Sequence, residues 1–127
     1  MLITRQFLGE DAVQLSAFSA LMGHCFPIWL RFRGGKGVAT FLGAMLALSF
    51  IIGIICCLVW LFVAVVRQMS SLASLTSSAS APIAAIFLGQ PNTIILLTLL
   101  ICVVFFRHKQ NIDRIFKGIE PKIGKIE

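Results

Sequence analysis

Apolar residues along this chain do not alternate with polar ones but run in long blocks, at residues 12–30, 38–66, 72–88 and 93–106, broken by short polar patches. Between Val38 and Phe106 the only formally charged side chain is Arg67. A charge at mid-bilayer costs about 2.5 to 3.5 kcal/mol on insertion scales, so a stretch this free of charge is what a bundle of membrane-spanning helices requires. The pattern predicts an all-α fold, a polytopic helix bundle in a membrane.

The number of spans turns on residues 38–66. As one helix, at about 1.5 Å per residue, this run would measure about 43 Å, against a hydrocarbon thickness of about 30 Å. Basic residues decide the matter. The loop at residues 31–36, Arg67, and the tail from Arg107 to Lys125 hold ten of the eleven Lys and Arg residues. If residues 38–66 cross once, these clusters fall on opposite sides of the membrane; if they cross twice, with a break at residues 49–53, all share one face, as the positive-inside rule prefers. About five spans are therefore expected, some of them short and tilted or thinning the bilayer.

Composition agrees. The 127 residues are 58% hydrophobic and 13% charged with a mean hydropathy of +0.96, outside the soluble globular range, and they predict one membrane domain over residues 1–127. The net charge of +6 sits beside apolar runs rather than on a soluble surface, so membrane lipids, not nucleic acid, are the expected partner. Residues 1–11 carry Arg5, Glu10 and Asp11 and lack the clean apolar core of a classical signal peptide. Cys25, Cys56, Cys57 and Cys102 stand in apolar surroundings at no metal-ligand spacing and read as small buried hydrophobes, so no metal or cofactor is expected.

Three polar patches carry the candidate chemistry. In FRGGKGVAT, residues 32–40, Gly34, Gly35 and Gly37 can bring backbone N–H groups close to an anion. Lys36, with Arg31 and Arg33 nearby, adds positive charge, and a helix starting at Val38 adds its dipole. The Walker A spacing is absent, so nucleotide hydrolysis is not implied. The same residues also suit an ordinary basic turn, and local composition does not choose between the two. In the second patch, residues 67–82, Ser71, Ser74 and Ser78 recur at helical spacing. The later serines fit close helix packing, whereas Ser70 and Ser71, beside Arg67 at the membrane edge, are better placed to touch a substrate. The third patch begins at Arg107. Ile112, Ile115 and Phe116 fall on one face of a short amphipathic surface helix ending near Gly118, and His108 and Asn111 share a face. A histidine here suits either solvation or proton handling, and the tail cations also suit anionic headgroups.

Taken together, GHCFPIWLRFRGGKGVAT (residues 23–40), SSLASL (70–75) and RHKQNIDRIFKGIEPKIG (107–124) resemble the second motif, third motif and C-terminal signature of the bacterial acyl-phosphate:glycerol-3-phosphate acyltransferases, the PlsY-type family. The resemblance implies an inner-membrane, multi-pass protein with the family's loops and its C-terminus on the cytosolic side. It implies transfer of a fatty acyl group from acyl phosphate to glycerol 3-phosphate, giving lysophosphatidic acid in the first step of phospholipid synthesis. Carried over by position, Gly34, Gly35, Lys36 and Gly37 correspond to the glycerol-phosphate loop, Ser70 and Ser71 to the serine motif, His108 and Asn111 to a His-x-x-Asn element, and Glu120 to the tail signature. His24 corresponds to the histidine before the loop. The family's first motif, a Ser/Gly/Asn-rich loop between two spans, has no counterpart, so the chain resembles the C-terminal two-thirds of the enzyme.

The chemistry implied by the resemblance suits these residues. Acyl phosphate is already activated, so expelling phosphate needs charge neutralisation more than a strong acid, and much of the rate comes from positioning. Two other classes stay open on the residues alone: an inactive fragment of such an enzyme, expected to bind phosphate compounds weakly without turnover, and a small membrane phosphate-binding or transport protein.

Overall fold

A computed structural model describes residues 1–124; Lys125, the last cation of the predicted tail, lies outside the described residues. The fold is all-helical: α1 (Leu2–Cys25), α2 (Val38–Leu48), α3 (Phe50–Arg67), α4 (Ser70–Phe87), α5 (Ile94–Arg107) and α6 (Lys109–Phe116), with single 3-10 turns at Ile28–Leu30 and Pro91–Thr93. The first five close into a ring in which each packs on its neighbours in sequence and α5 returns to α1. One stripe of α1 faces the centre, made by Val13, Ala17, Leu21 and Cys25 at four-residue spacing, and meets Met45, Ile52, Leu97 and Leu100. The outward faces are apolar as well: Phe62, Val65, Phe87 and Ile95 are all exposed, as side chains meeting lipid would be.

The first apolar block differs from the predicted span. Its helix begins at Leu2, bends where Gly9 adopts φ 80°, and stops at Cys25 rather than Leu30. Pro27 explains the early stop, because proline disfavours helical geometry in the residue before it, and Phe26 has φ −132° and ψ 55°.

Residues 38–66 do divide as expected. Ser49 is extended, with φ −147° and ψ 110°, and α2 and α3 fold back on one another across it. Gly53 lets them approach closely: a Cβ there would lie 2.5 Å from the Cα of Leu46. Arg5, the one cation outside the three basic clusters, completes the turn by donating to the carbonyls of Ala47 and Leu48, each at 2.8 Å, which would otherwise end α2 unpaired.

α1 with its 3-10 extension and α3 are each long and apolar enough to cross a membrane. α2, at 11 residues, rises about 16 Å and makes only a thin traverse. α6 turns 66° away from the α5 segment and is strongly amphipathic, the predicted surface helix. Arg5 and Glu10 mark one end of the bundle with the turns at Ser49 and Gln90, where Gln90 Nε2 donates to Ser49 Oγ at 3.2 Å. The three polar patches meet at the other end: Arg107 reaches the glycine loop, and the Ile123 amide donates to the Gln68 carbonyl at 2.7 Å.

Candidate functional site

A cavity of about 350 Å³ opens at the polar end, with Lys36, Ser70, Ser71, His108, Asn111 and Glu120 in its wall. Val38 and Ser70, the first residues of α2 and α4, also line it, and neither helix start has a side-chain cap. Two helix N-termini with free first-turn N–H groups therefore border the space that Lys36 enters, an arrangement suited to an anion.

Glu120 organises one wall. Its Oε1 accepts from Ser71 Oγ and from Asn111 Nδ2, each at 2.6 Å, and its Oε2 accepts from Arg114 Nε at 2.7 Å. Burial pushes its pKa up, but the bonds from Ser71, Asn111 and Arg114, with Arg114's charge, outweigh this and hold the carboxyl below its ordinary value. Because Ser71 spends its hydrogen on Glu120, its remaining lone pairs are left as acceptors.

His108 is 1% exposed and sits at the bend between α5 and α6. Its Nδ1 lies 2.8 Å from the Val104 carbonyl, which can only accept, so Nδ1 carries the hydrogen and Nε2 is a bare acceptor. Its pKa is lowered chiefly by burial; the Val104 bond and Glu120 oppose this, and the charge of Lys36 reinforces it. The ring is thus held neutral.

The glycine loop is glycine mainly because of what lies beneath it. A Cβ on Gly34 would fall 2.3 Å from the His24 carbonyl oxygen, and one on Gly35 would fall 2.4 Å from His24 Nε2. The Gly35 amide already donates to the His24 carbonyl at 3.3 Å, so it is engaged within the loop rather than offered to an anion. Gly37, at φ 77°, adopts a left-handed turn against Leu21 and Cys25 and launches α2. His24 therefore stands under the loop, and Gly34, Gly35 and Gly37 shape it, while Lys36 is its member in the cavity wall. Arg31 and Arg33 are exposed and outside that wall.

Along α4, Ser71 faces the cavity, while the later serines bind α4 to itself and to α3. Ser77 Oγ donates to the Cys56 carbonyl at 2.7 Å, and Ser78 Oγ to the Leu75 carbonyl at 3.0 Å. Ser74 borders the cavity and accepts from Trp60 Nε1 at 3.1 Å. Sequence reading missed Arg114 and Lys122 as residues of the cavity wall, and Arg107 as the residue that reaches the glycine loop. For Arg114 a signal existed, since it lies three residues after Asn111 on the same helical face, but cations in this tail suit anionic headgroups equally well. Among the described residues no three His, Cys, Asp or Glu side chains gather as a metal centre would need.

Comparison with known proteins adds the following. The family model for glycerol-3-phosphate acyltransferase matches residues 1–118. The glycerol-3-phosphate acyltransferase of Ruegeria sp. (strain TM1040) is 54% identical over 98% of this chain and 62% of its own length. That of Jannaschia sp. (strain CCS1) is 53% identical over 97% of this chain and 61% of its own length. The chain thus spans about three fifths of the length of these curated relatives. A crystal structure of PlsY, an integral membrane glycerol 3-phosphate acyltransferase in its glycerol 3-phosphate form, superposes with a TM-score of 0.91 at 32% identity, covering 97% of this chain and 63% of that one. A second structure of that protein, in a lysophosphatidic acid form, matches equally well.

Proposed function

The chain belongs to the glycerol-3-phosphate acyltransferase family, and from that premise we propose that its polar cavity serves transfer of a fatty acyl group from acyl phosphate to glycerol 3-phosphate, giving lysophosphatidic acid. The observation that carries this reading is the convergence of Lys36 and two uncapped helix starts on the cavity that also holds the bare Nε2 acceptor of neutral His108. The crystal forms of the related PlsY are described by a substrate and the product of such a reaction, which supports it.

In this reading Lys36 and the first-turn amides of α2 and α4 hold the glycerol phosphate's dianion. A free hydroxyl of the glycerol attacks the acyl carbonyl, its oxygen bonds to the carbonyl carbon, and the bond to the phosphate oxygen breaks. The hydroxyl gives its hydrogen to His108 Nε2 as its oxygen attacks, and the proton passes on to the departing phosphate, which leaves as hydrogen phosphate. The departing phosphate leaves beside the cations that line the cavity, Lys36, Arg114 and Lys122. Asn111 and Ser71 are fixed by Glu120 and complete the polar wall. No cofactor enters these steps.

Every described Lys and Arg except Arg5 lies in the three patches that meet at the polar end. We place this end at the cytosolic face of the bacterial inner membrane, with the C-terminal helix on the surface. The test uses the chain joined to the remaining part of the Ruegeria relative, in proteoliposomes given palmitoyl phosphate and labelled glycerol 3-phosphate. Labelled lysophosphatidic acid is the expected product. Uptake of label into the lumen without product would turn the assignment to transport.

A further inference from the structure

Arg107 ends α5, and its guanidinium crosses to the glycine loop, where Nε donates to the Gly35 carbonyl at 3.0 Å and Nη2 donates to the Gly34 carbonyl. The same group stacks 5.3 Å from the ring of Phe26, which itself meets Phe106 with ring centroids 6.3 Å apart. A planar fork bonded to two successive carbonyls and backed by an aromatic face has one orientation, which an ammonium cannot reproduce. Below the loop, the backbone of His24 and Cys25 leaves no room for a Cβ on Gly34. The loop is held on both sides.

Lys36 is the next residue. A trans peptide sets each N–H opposite the preceding carbonyl, so the bond to Gly35 fixes the direction of the Lys36 amide. Arg107 also directly precedes His108, so one residue ties the loop that carries Lys36 to the helix end that carries the imidazole. We propose that Arg107 is a positioning residue that sets Lys36 in the cavity by clamping the two glycines before it. The proposal rests on the reaction assigned above and adds to it a residue that does not line the cavity.

Two measurements judge it. The first is amide hydrogen exchange of the 127-residue chain in detergent, which does not depend on the reaction. In Arg107→Ala the Gly35 amide, which donates to the His24 carbonyl, is expected to exchange at least about tenfold faster, as a locally freed loop does, with α3 and α4 unchanged. Arg107→Lys keeps the charge, serves if the alanine variant fails to fold, and is expected to show most of the same gain. Unchanged loop exchange in the lysine variant would overturn the clamp.

The second is a double-mutant cycle on the chain joined to the rest of the Ruegeria relative. Arg107→Ala is expected to raise KM for glycerol 3-phosphate about tenfold, but less than about twofold when Lys36 is already alanine, because the two act through one contact. A fall in kcat at constant KM, or fully additive effects, would reduce Arg107 to a structural support. Absence of product from the unsubstituted enzyme would refute the assigned reaction instead, leaving the exchange measurement to decide the clamp.

Discussion

Glu120 joins residues far apart in sequence, Ser71 at the start of α4 and Asn111 and Arg114 on α6, through two carboxylate oxygens. In Glu120→Gln one oxygen becomes an NH2 group, so one of these donors faces another donor. The expected cost is about 1 to 3 kcal/mol of stability, the range for an unmet buried group, together with loss of turnover, read by thermal unfolding and product assay. The folded Glu120 pKa is depressed below 4.5, so its stabilisation is fully present above about pH 4.5 and is lost as pH falls through the folded value. His108 is also depressed, from 6.5, so below pH 6.5 the unfolded chain takes up the proton first and stability falls with pH. In His108→Asn the part of this acid slope that begins near pH 6.5 should vanish. Lys36, Ser71, His108, Asn111 and Glu120 were legible as a group because motif order carried them. Arg107 was not, since its partners lie on another element, whereas Arg114 shares a helical face with Asn111 and was within reach of the pattern; Arg31 and Arg33 lie near Lys36 in sequence but outside the cavity wall.

At the scale of elements, the turn between α2 and α3 was legible from length and charge together: residues 38–66 are too long for one upright crossing, and only a second crossing puts the three basic clusters on one face. The contact that makes the hairpin close was not. Gly53→Ala would place a Cβ 2.5 Å from the Leu46 backbone, whereas Gly43→Ala meets nothing within 4 Å. The first should lower stability by about 1 to 3 kcal/mol, the usual cost of overpacking, while the second should be neutral or slightly stabilising by helix propensity. Equal unfolding temperatures for the two variants would mean that α2 and α3 are not pressed together there. The end of α1 was misplaced by five residues because hydropathy continues through Ile28, Trp29 and Leu30, whereas Pro27 governs the backbone.

At the scale of the molecule, five traverses put the three basic patches at one end, and the charge distribution alone indicated as much. Cysteines introduced at Arg33 and Lys117 should label from the same side of the membrane, and one at Gly89 from the other. Labelling of Arg33 and Lys117 from opposite sides would restore a single long helix across residues 38–66. The central claim is that this shared end forms one cavity that grips glycerol 3-phosphate through Lys36. Its most direct test is steady-state kinetics of Lys36→Ala in the chain joined to the rest of the Ruegeria relative, varying each substrate in turn. Loss of a charge-assisted phosphate contact worth about 1.5 to 3 kcal/mol should raise KM for glycerol 3-phosphate about ten- to hundredfold while KM for palmitoyl phosphate stays within about twofold. Unchanged constants for both substrates would contradict the claim and remove the glycine loop from the site.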